Sequence, residues 1–263
     1  MAQDSGAPQC FAGFIDAAPA PHKYRDATPA LPRLRRRPKS LLMRYEGGDS
    51  DVTGVLLAGG RSARMGGQEK ALLELSGKPM LAHLIARMGP QVGTLIINAN
   101  GDAVRFSPFG LPVVPDTLED FAGPLAGLHA GMVWAQRKTP SARFVASVPG
   151  DTPFIPRELV ARLKSALLAS RATCAIAASR SKQHPIVGLW DISLARTIAD
   201  ALEKGVRAMH RFAGDNASAV VDFPNFEIGG AAIDPFFNVN TLADLETAQM
   251  LLSRHTGQEP ARG

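Results

Sequence analysis

From Thr53 onward, short β-branched runs alternate with longer runs whose apolar residues recur at helical spacing. Thr53 to Ala58 ("TGVLLA") reads as a buried strand. Pro79 to Met88 reads as a helix with proline in its first turn. Thr94 to Asn100 and Leu111 to Asp116 read as strands that end in polar residues, and Gly123 to Gln136 as a helix between them and the next strand, Arg143 to Asp151. Pro156 to Ala169 reads as a helix entered through proline. Thr173 to Ser179, His184 to Trp190 and Ser218 to Phe223 read as further strands. Ile192 to Gly205 reads as a helix closed by glycine, and Thr241 to Arg254 as a final helix with Thr241 as N-cap. No internal repeat interrupts this order. Trp134 and Trp190 fall at positions expected in the core, and Met65 and Met80 at positions expected to pack in the core or a loop.

Strands that alternate with helices imply an α/β fold with a mostly parallel sheet covered by helices on both faces. In such folds the ligand lies beyond the carboxyl ends of the strands. Four of the expected strand ends carry polar or glycine residues: Gly59-Gly60, Asn98, Asp116 and Asp151. Each alone is also what a turn would use. Their coincidence at one predicted rim marks a candidate site.

The loop after the first strand, "LAGGRSARMGGQEK", narrows the chemistry. A Walker loop requires G-x-x-x-x-G-K-[ST], but here Lys70 follows Glu69 and no hydroxyl residue follows the lysine. A dinucleotide fingerprint requires G-x-G-x-x-G, whereas Gly59 and Gly60 are adjacent and the next glycines are Gly66 and Gly67. What remains is a Gly-Gly turn, Arg61, Arg64, a second glycine pair and Lys70. Glycines let backbone amides approach phosphate closely, arginine offers two-point contact, and lysine offers a point charge. These ingredients suit a nucleotide triphosphate held by a loop; the alternative is a surface loop with incidental charge.

Composition then divides the chain. Of its 263 residues, 45% are hydrophobic and 20% charged, as in ordinary globular proteins. Much of the net charge of +5 lies in residues 1–50, which hold eight Lys/Arg against five Asp/Glu, with a basic run from Arg33 to Lys39. That run admits a nucleic-acid patch or a solvated tail; the surrounding prolines favour a disordered basic extension over residues 1–50, and no nucleic-acid partner is expected. Met43 is an alternative start. No stretch is long and apolar enough to span a membrane, and no secretory signal is expected. The two cysteines, Cys10 and Cys174, make neither a disulfide framework nor a zinc site and suggest a reducing, cytoplasmic setting.

The opening loop resembles the signature of nucleotidyltransferases, L-A-G-G-x-S-x-R-M-G-x-[DE]-K. Together with "NAN" (Asn98 to Asn100), "PDTLEDFAGPLAG" (Pro115 to Gly127), "PGDTPFIP" (Pro149 to Pro156), "HPIVGLW" (His184 to Trp190) and "FFNVNT" (Phe236 to Thr241), the chain resembles the molybdenum cofactor guanylyltransferases of the MobA type. The resemblance covers roughly Val52 to Leu252. It implies a three-layer Rossmann-like fold of the nucleotide-diphospho-sugar transferase type, and a single nucleotidyltransferase domain over residues 51–256 followed by a tail, 257–263. It implies transfer of GMP from GTP to the terminal phosphate of molybdopterin or its molybdenum form, with Mg²⁺ as cofactor and Mn²⁺ as an alternative ion. Leu57, Ala58, Gly59, Lys70, Asn98, Asp116 and Asp151 then match nucleotide-contacting positions, and Asp151 the metal ligand. Gly60, Arg64, Gly67, Gly123, Gly127, Asn238 and Asn240 match positions that hold the pterin or its phosphate. Lys70, Arg64 and Asp151 are the residues expected to carry catalysis. Partners implied are the small-molecule substrates, molybdoenzyme apoproteins or molybdenum-insertion proteins, acting on a monomer.

Two positions depart from the family pattern. Glu69 stands where Asp usually precedes the lysine, and Leu242 where Pro is common. On a strand, Asn238 and Asn240 would share a face. His184 admits two readings, a substrate contact or a satisfied structural histidine. The competing functions are a cytidylyltransferase acting on the same cofactor, a sugar-1-phosphate nucleotidyltransferase, and a catalytically inactive adaptor. The last would be signalled by loss of Lys70 or Asp151, and both are present.

Overall fold

The computed structural model describes residues 45, 47–59, 69–117, 123–228 and 230–256. In chain order the strands are β1 (Asp49–Leu57), β2 (Glu74–Leu75), β3 (Lys78–Pro79), β4 (Val92–Asn98), β5 (Val113–Val114), β6 (Phe144–Pro149), β7 (Cys174–Ser179), β8 (Lys182–Asp191), β9 (Ser218–Asp222), β10 (Phe226–Ile228) and β11 (Ala231–Ile233). The helices are α1 (Met80–Met88), α2 (Pro124–Lys138), α3 (Leu159–Ser170), α4 (Ala195–Glu203), α5 (Met209–Gly214) and α6 (Leu242–Thr256). Seven strands form the central sheet in the order β5-β4-β1-β6-β8-β7-β9, and β8 runs antiparallel to both its neighbours. The remaining pairs are parallel, so the expected mostly parallel sheet is what forms.

Side-chain alternation explains the layers. On β4, Leu95 and Ile97 point to one face and Ile96 to the other; on β1, Leu56 and Val55 divide in the same way. The first face packs on α1 and α3 through Leu81, Leu84, Met88, Leu159, Leu163 and Leu167. The second packs on α2, α4 and α5 through Leu125, Leu128, Ile198, Leu202 and Phe212. Trp190 is fully buried on that second face, and its indole N–H donates to Ser147 Oγ at 2.9 Å, which satisfies the one polar atom it carries. Trp134 packs at the edge of the same cluster and Met80 is fully buried, as expected. Met65 lies outside the described residues.

Several boundaries differ from the reading of the sequence. β1 begins at Asp49, before the boundary expected at residue 51, because Lys164 on α3 grips both Asp49 and Asp51 at 2.6 Å and turns a polar stretch into an anchored strand end. Pro156 lies in the turn before α3, which starts at Leu159. Helix α5 and the β10–β11 hairpin are too short to show a period and have no counterpart in the sequence reading. Asn238 and Asn240 lie on a loop, not a strand; the backbone there bonds to Asp151 instead of to a neighbouring strand. A third apolar cluster, with Leu75, Met80, Phe154, Ile233, Val239 and Ala248, seats this loop and α6 beside the sheet.

Candidate active site

The parallel register brings three strand ends to one rim. Leu57 pairs with both Asn98 and Pro149, and the ladder continues beyond the strands through Ala58 N to Asn98 O, Gly150 N to Leu57 O, and Ala99 N to Val114 O. Leu57, Ala58 and Gly59 therefore run between the turn that carries Asp151 and the turn that carries Asn98.

Two polar groups flank that segment. In the first, Lys70 Nζ donates to Asn240 Oδ1 at 2.7 Å and lies 3.6 Å from Asp151 Oδ2. The loop bearing Asn240 is tied to the same turn by Val239 N, which donates to Asp151 O at 2.9 Å. Asp244 on α6 accepts from the amides of Asn240 and Thr241 at 2.9 and 2.8 Å, while Thr241 Oγ1 accepts from Asp244 N at 3.1 Å. Thr241 thus caps α6 as expected, and the reciprocal bond fixes the loop. Asn238 is exposed, and its carbonyl accepts from Asn240 Nδ2 at 3.5 Å.

Asp151 is poorly satisfied in this arrangement. Among the described residues, its Oδ1 is buried without a hydrogen-bond partner. Burial pushes its carboxyl above the usual range, and the Lys70 ammonium pulls the other way without cancelling the effect. A partly exposed ion pair contributes at most about 1 kcal/mol, whereas a buried polar atom left unpaired costs about 1–3 kcal/mol. The balance leaves Asp151 Oδ1 the unsatisfied atom of this group. The orphaned oxygen fits a hard divalent ion such as Mg²⁺, which takes one or two carboxylates and completes its shell with water and phosphate oxygens. No cluster of three or more His, Cys, Asp or Glu that could hold a metal occurs among the described residues.

In the second group, Asn98 Nδ2 donates to Val114 O at 3.0 Å and to Asp116 Oδ1 at 2.9 Å. Asn100 Nδ2 donates to Asp116 Oδ2 at 2.7 Å, and Asn100 Oδ1 accepts from Asp116 N at 2.8 Å. Both protons of the Asn98 amide are spent within the protein, which makes Asn98 a support for Asp116. The Asp116 carboxylate retains unused lone pairs. Behind it, Thr117 Oγ1 meets His129 Nδ1 at 2.9 Å, pinning this segment to α2.

Glycines shape the wall. Gly123 precedes α2 with φ +118°, a conformation essentially confined to glycine, and its carbonyl accepts from Ala126 and Gly127. Gly127 is buried beneath Asn98; a Cβ there would lie 2.2 Å from Asn98 Oδ1 and 2.7 Å from Leu57 Cδ2. Gly60, Arg64 and Gly67 lie outside the described residues.

Asn100 and Arg105 belong to the site but are absent from the candidates read from sequence. Arg105 reaches both oxygens of Glu69, with Nη2 at 3.1 Å from Oε1, and donates to the carbonyls of Asn100 and Asp102. One guanidinium thus links the residue preceding Lys70 to the residue that holds Asp116. The longer side chain at position 69 has a partner suited to its reach. Asn100 had a signal, its place just past a strand end; Arg105 had none, since 3₁₀ turns over Ala103–Phe109 carry no period.

A seven-stranded sheet with one reversed strand and a polar rim at its carboxyl ends is the fold of the nucleotide-diphospho-sugar type of nucleotidyltransferase. Residues 54–218 match the MobA-like NTP transferase domain, and the chain belongs to that family. It is 44% identical over 201 residues to a molybdenum cofactor guanylyltransferase of Bradyrhizobium sp. (strain ORS 278), covering 76% of this chain and 92% of the relative. Its fold is shared with molybdopterin-guanine dinucleotide biosynthesis protein A of Archaeoglobus fulgidus, with TM-score 0.60, 19% identity, and coverage of 77% and 99% of the two chains. The fold is also that of Rv0371C of Mycobacterium tuberculosis in complex with manganese, with TM-score 0.52, 19% identity, and coverage of 76% and 98%. Among the described residues, no helix is long and apolar enough to cross a membrane.

Proposed function

We propose that this chain transfers GMP from GTP to the terminal phosphate of molybdopterin, forming the guanine dinucleotide cofactor and releasing pyrophosphate. The observation that carries the reading is the meeting of Lys70, Asp151 and Asn240, residues remote in sequence, beside the Asn98–Asp116–Asn100 group in a chain of the MobA-like family. The guanylyltransferase identity of the Bradyrhizobium relative supports the choice of nucleotide and acceptor.

A phosphate oxygen of the acceptor attacks the α-phosphorus of GTP. A new P–O bond forms, the bridging α–β P–O bond breaks, and its electron pair leaves with pyrophosphate. Two anions must approach, so positioning and charge neutralisation do most of the work. Lys70, held by Asn240, supplies a fixed positive charge for the phosphates. Asp151 is the residue to hold Mg²⁺, with Mn²⁺ as a substitute. When bound, the ion neutralises developing charge on the phosphate oxygens. Leu57 to Gly59 border the nucleotide, and Asp116, steadied by two asparagine amides, offers acceptors that suit the donor edge of guanine over adenine. Gly60, Arg64 and Gly67, together with Gly123, Gly127, Asn238 and Asn240, are the residues assigned to the pterin and its phosphate. The catalytic domain begins with β1 at Asp49, runs to residue 256 and works in the cytoplasm, and residues 1–42 are dispensable for catalysis.

The test is product formation from molybdopterin with GTP, CTP or ATP and Mg²⁺. Guanine dinucleotide and pyrophosphate are expected with GTP alone. Preference for CTP would replace the guanylyltransferase reading with the cytidylyltransferase, and binding of nucleotide without turnover would favour the adaptor.

A further inference from the structure

A second polar chain at the same rim, on the side away from Asp116, takes no part in the mechanism above. β7 runs parallel to β9 and antiparallel to β8, which is itself antiparallel to β6, so the carboxyl end of β7 lies at the edge that carries Asp151. That end is Ser179, fully buried. Its hydroxyl donates to Asp234 Oδ1 at 2.8 Å and lies 2.8 Å from His184 Nε2. A serine has one proton to give and Asp234 takes it, so His184 must donate from Nε2, which fixes the neutral ring's tautomer. Burial holds the His184 imidazole below its ordinary pKa, with Asp234 opposing and Lys182 adding to the effect.

The chain leads into the loop of the active site. Asp234 Oδ1, the atom that receives Ser179, also accepts from Phe236 N at 2.9 Å, and Asp234 O accepts from Phe237 N at 3.0 Å. The Phe236 ring packs at a tilt against His184, with centroids 4.9 Å apart, and meets Phe223 edge-on at 5.4 Å. Two residues beyond Phe237, Val239 N bonds to Asp151 O, and Asn240 then holds Lys70. β8 is distorted where it meets this chain: Ile176 pairs with Gly188 but Ala177 with His184, leaving residues 185–187 unpaired with β7. Bulges of this kind re-aim side chains beside active sites.

We propose that Ser179 is a positioning residue. Through Asp234 it holds the 236–240 loop in the register that presents Asn238 and Asn240 to the acceptor phosphate. The acceptor role of that loop rests on the proposed function; the anchoring does not. Both hydrogen bonds to Asp234 end on one oxygen, so Asp234→Asn can keep them, whereas Asp234→Ala and Ser179→Ala cannot.

Hydrogen exchange of the purified full chain tests the anchor. In Ser179→Ala the amides of Phe236, Phe237 and Val239 should exchange roughly tenfold faster, with β1 and β4 unchanged. Asp234→Ala should match it and Asp234→Asn should resemble wild type. Unchanged exchange in that loop, or uniform acceleration across the sheet, overturns the proposal. Should Ser179→Ala not fold, Asp234→Ala against Asp234→Asn decides it. Steady-state kinetics then test the link to the acceptor: Ser179→Ala should raise the KM for molybdopterin about tenfold and the KM for GTP, which feels the loop only through Asn240 and Lys70, by less, and an equal rise in both overturns that link. A wild-type chain that makes no product removes the proposed function and leaves the anchor to be judged by exchange alone.

Discussion

The amide of Asn98 stands 2.9 Å from Asp116 Oδ1 and at the same time holds Val114 O, so the last residue of β4 and the residue just past β5 are locked together. The carboxylate is thereby held in place by the protein alone. Removing the amide in Asn98→Ala should raise the KM for GTP about tenfold while changing kcat little, because a positioning bond is worth about 1–1.5 kcal/mol. Steady-state kinetics at saturating acceptor measure this, and an unchanged KM would mean that Asn100 alone orients Asp116.

Gly127 exists to make room for that amide. Alanine in a helix gains about 1 kcal/mol of propensity over glycine, but a Cβ placed 2.2 Å from Asn98 Oδ1 forces an overpacking cost of about 1–3 kcal/mol. Gly127→Ala should therefore lose stability on balance, and adding Asn98→Ala should relieve the clash. Urea unfolding of the two single variants and the double variant checks it; strictly additive losses would show that the two positions do not interact.

Asp151 sets function against stability. Its folded pKa is raised, so the stability it contributes is full below the unfolded value of about 3.9 and is lost as pH rises through the folded value. Once ionised, the buried carboxylate is a burden on the free protein. Asp151→Asn should raise Tm by about 2–4 °C and lower Mg²⁺-dependent turnover by roughly 10²-fold or more. A lower Tm in the variant would show that the Lys70 ion pair outweighs burial.

Three histidines, His129 buried and His83 and His184 partly buried, bear on acid stability. Burial lowers the pKa of His83, His129 and His184; Lys78 and Arg87 add to it at His83, where the Leu75 carbonyl opposes. A lowered folded value means full stability above about pH 6.5 and loss as pH falls toward the folded value. The urea midpoint should drop as pH falls below about 6.5, and His129→Gln should flatten that slope. A midpoint independent of pH across this window would contradict the assignment.

The rim was readable because strands end where their apolar run ends, and Asn98, Asp116 and Asp151 each follow such a run directly. The sheet order was not readable, since nothing local to residues 182–191 reports that β8 runs against its neighbours. Asn238 and Asn240 show the same limit. Their alternation with buried Val239 suits a strand, yet the backbone there is held by Asp151 and by Asp244 at the start of α6, partners that no period reveals. Arg105 and Ser179 act through contacts 36 and 55 residues away and leave no local trace.

The dependence of Lys70 on Asn240 gives biosynthesis a direction. A nascent polypeptide can assemble β1, β4 and β6 while its lysine still lacks the amide that steadies it, because that amide leaves the ribosome 170 residues later. A chain truncated ahead of Val239 keeps every strand of the central sheet in its sequence but lacks the amide that holds Lys70.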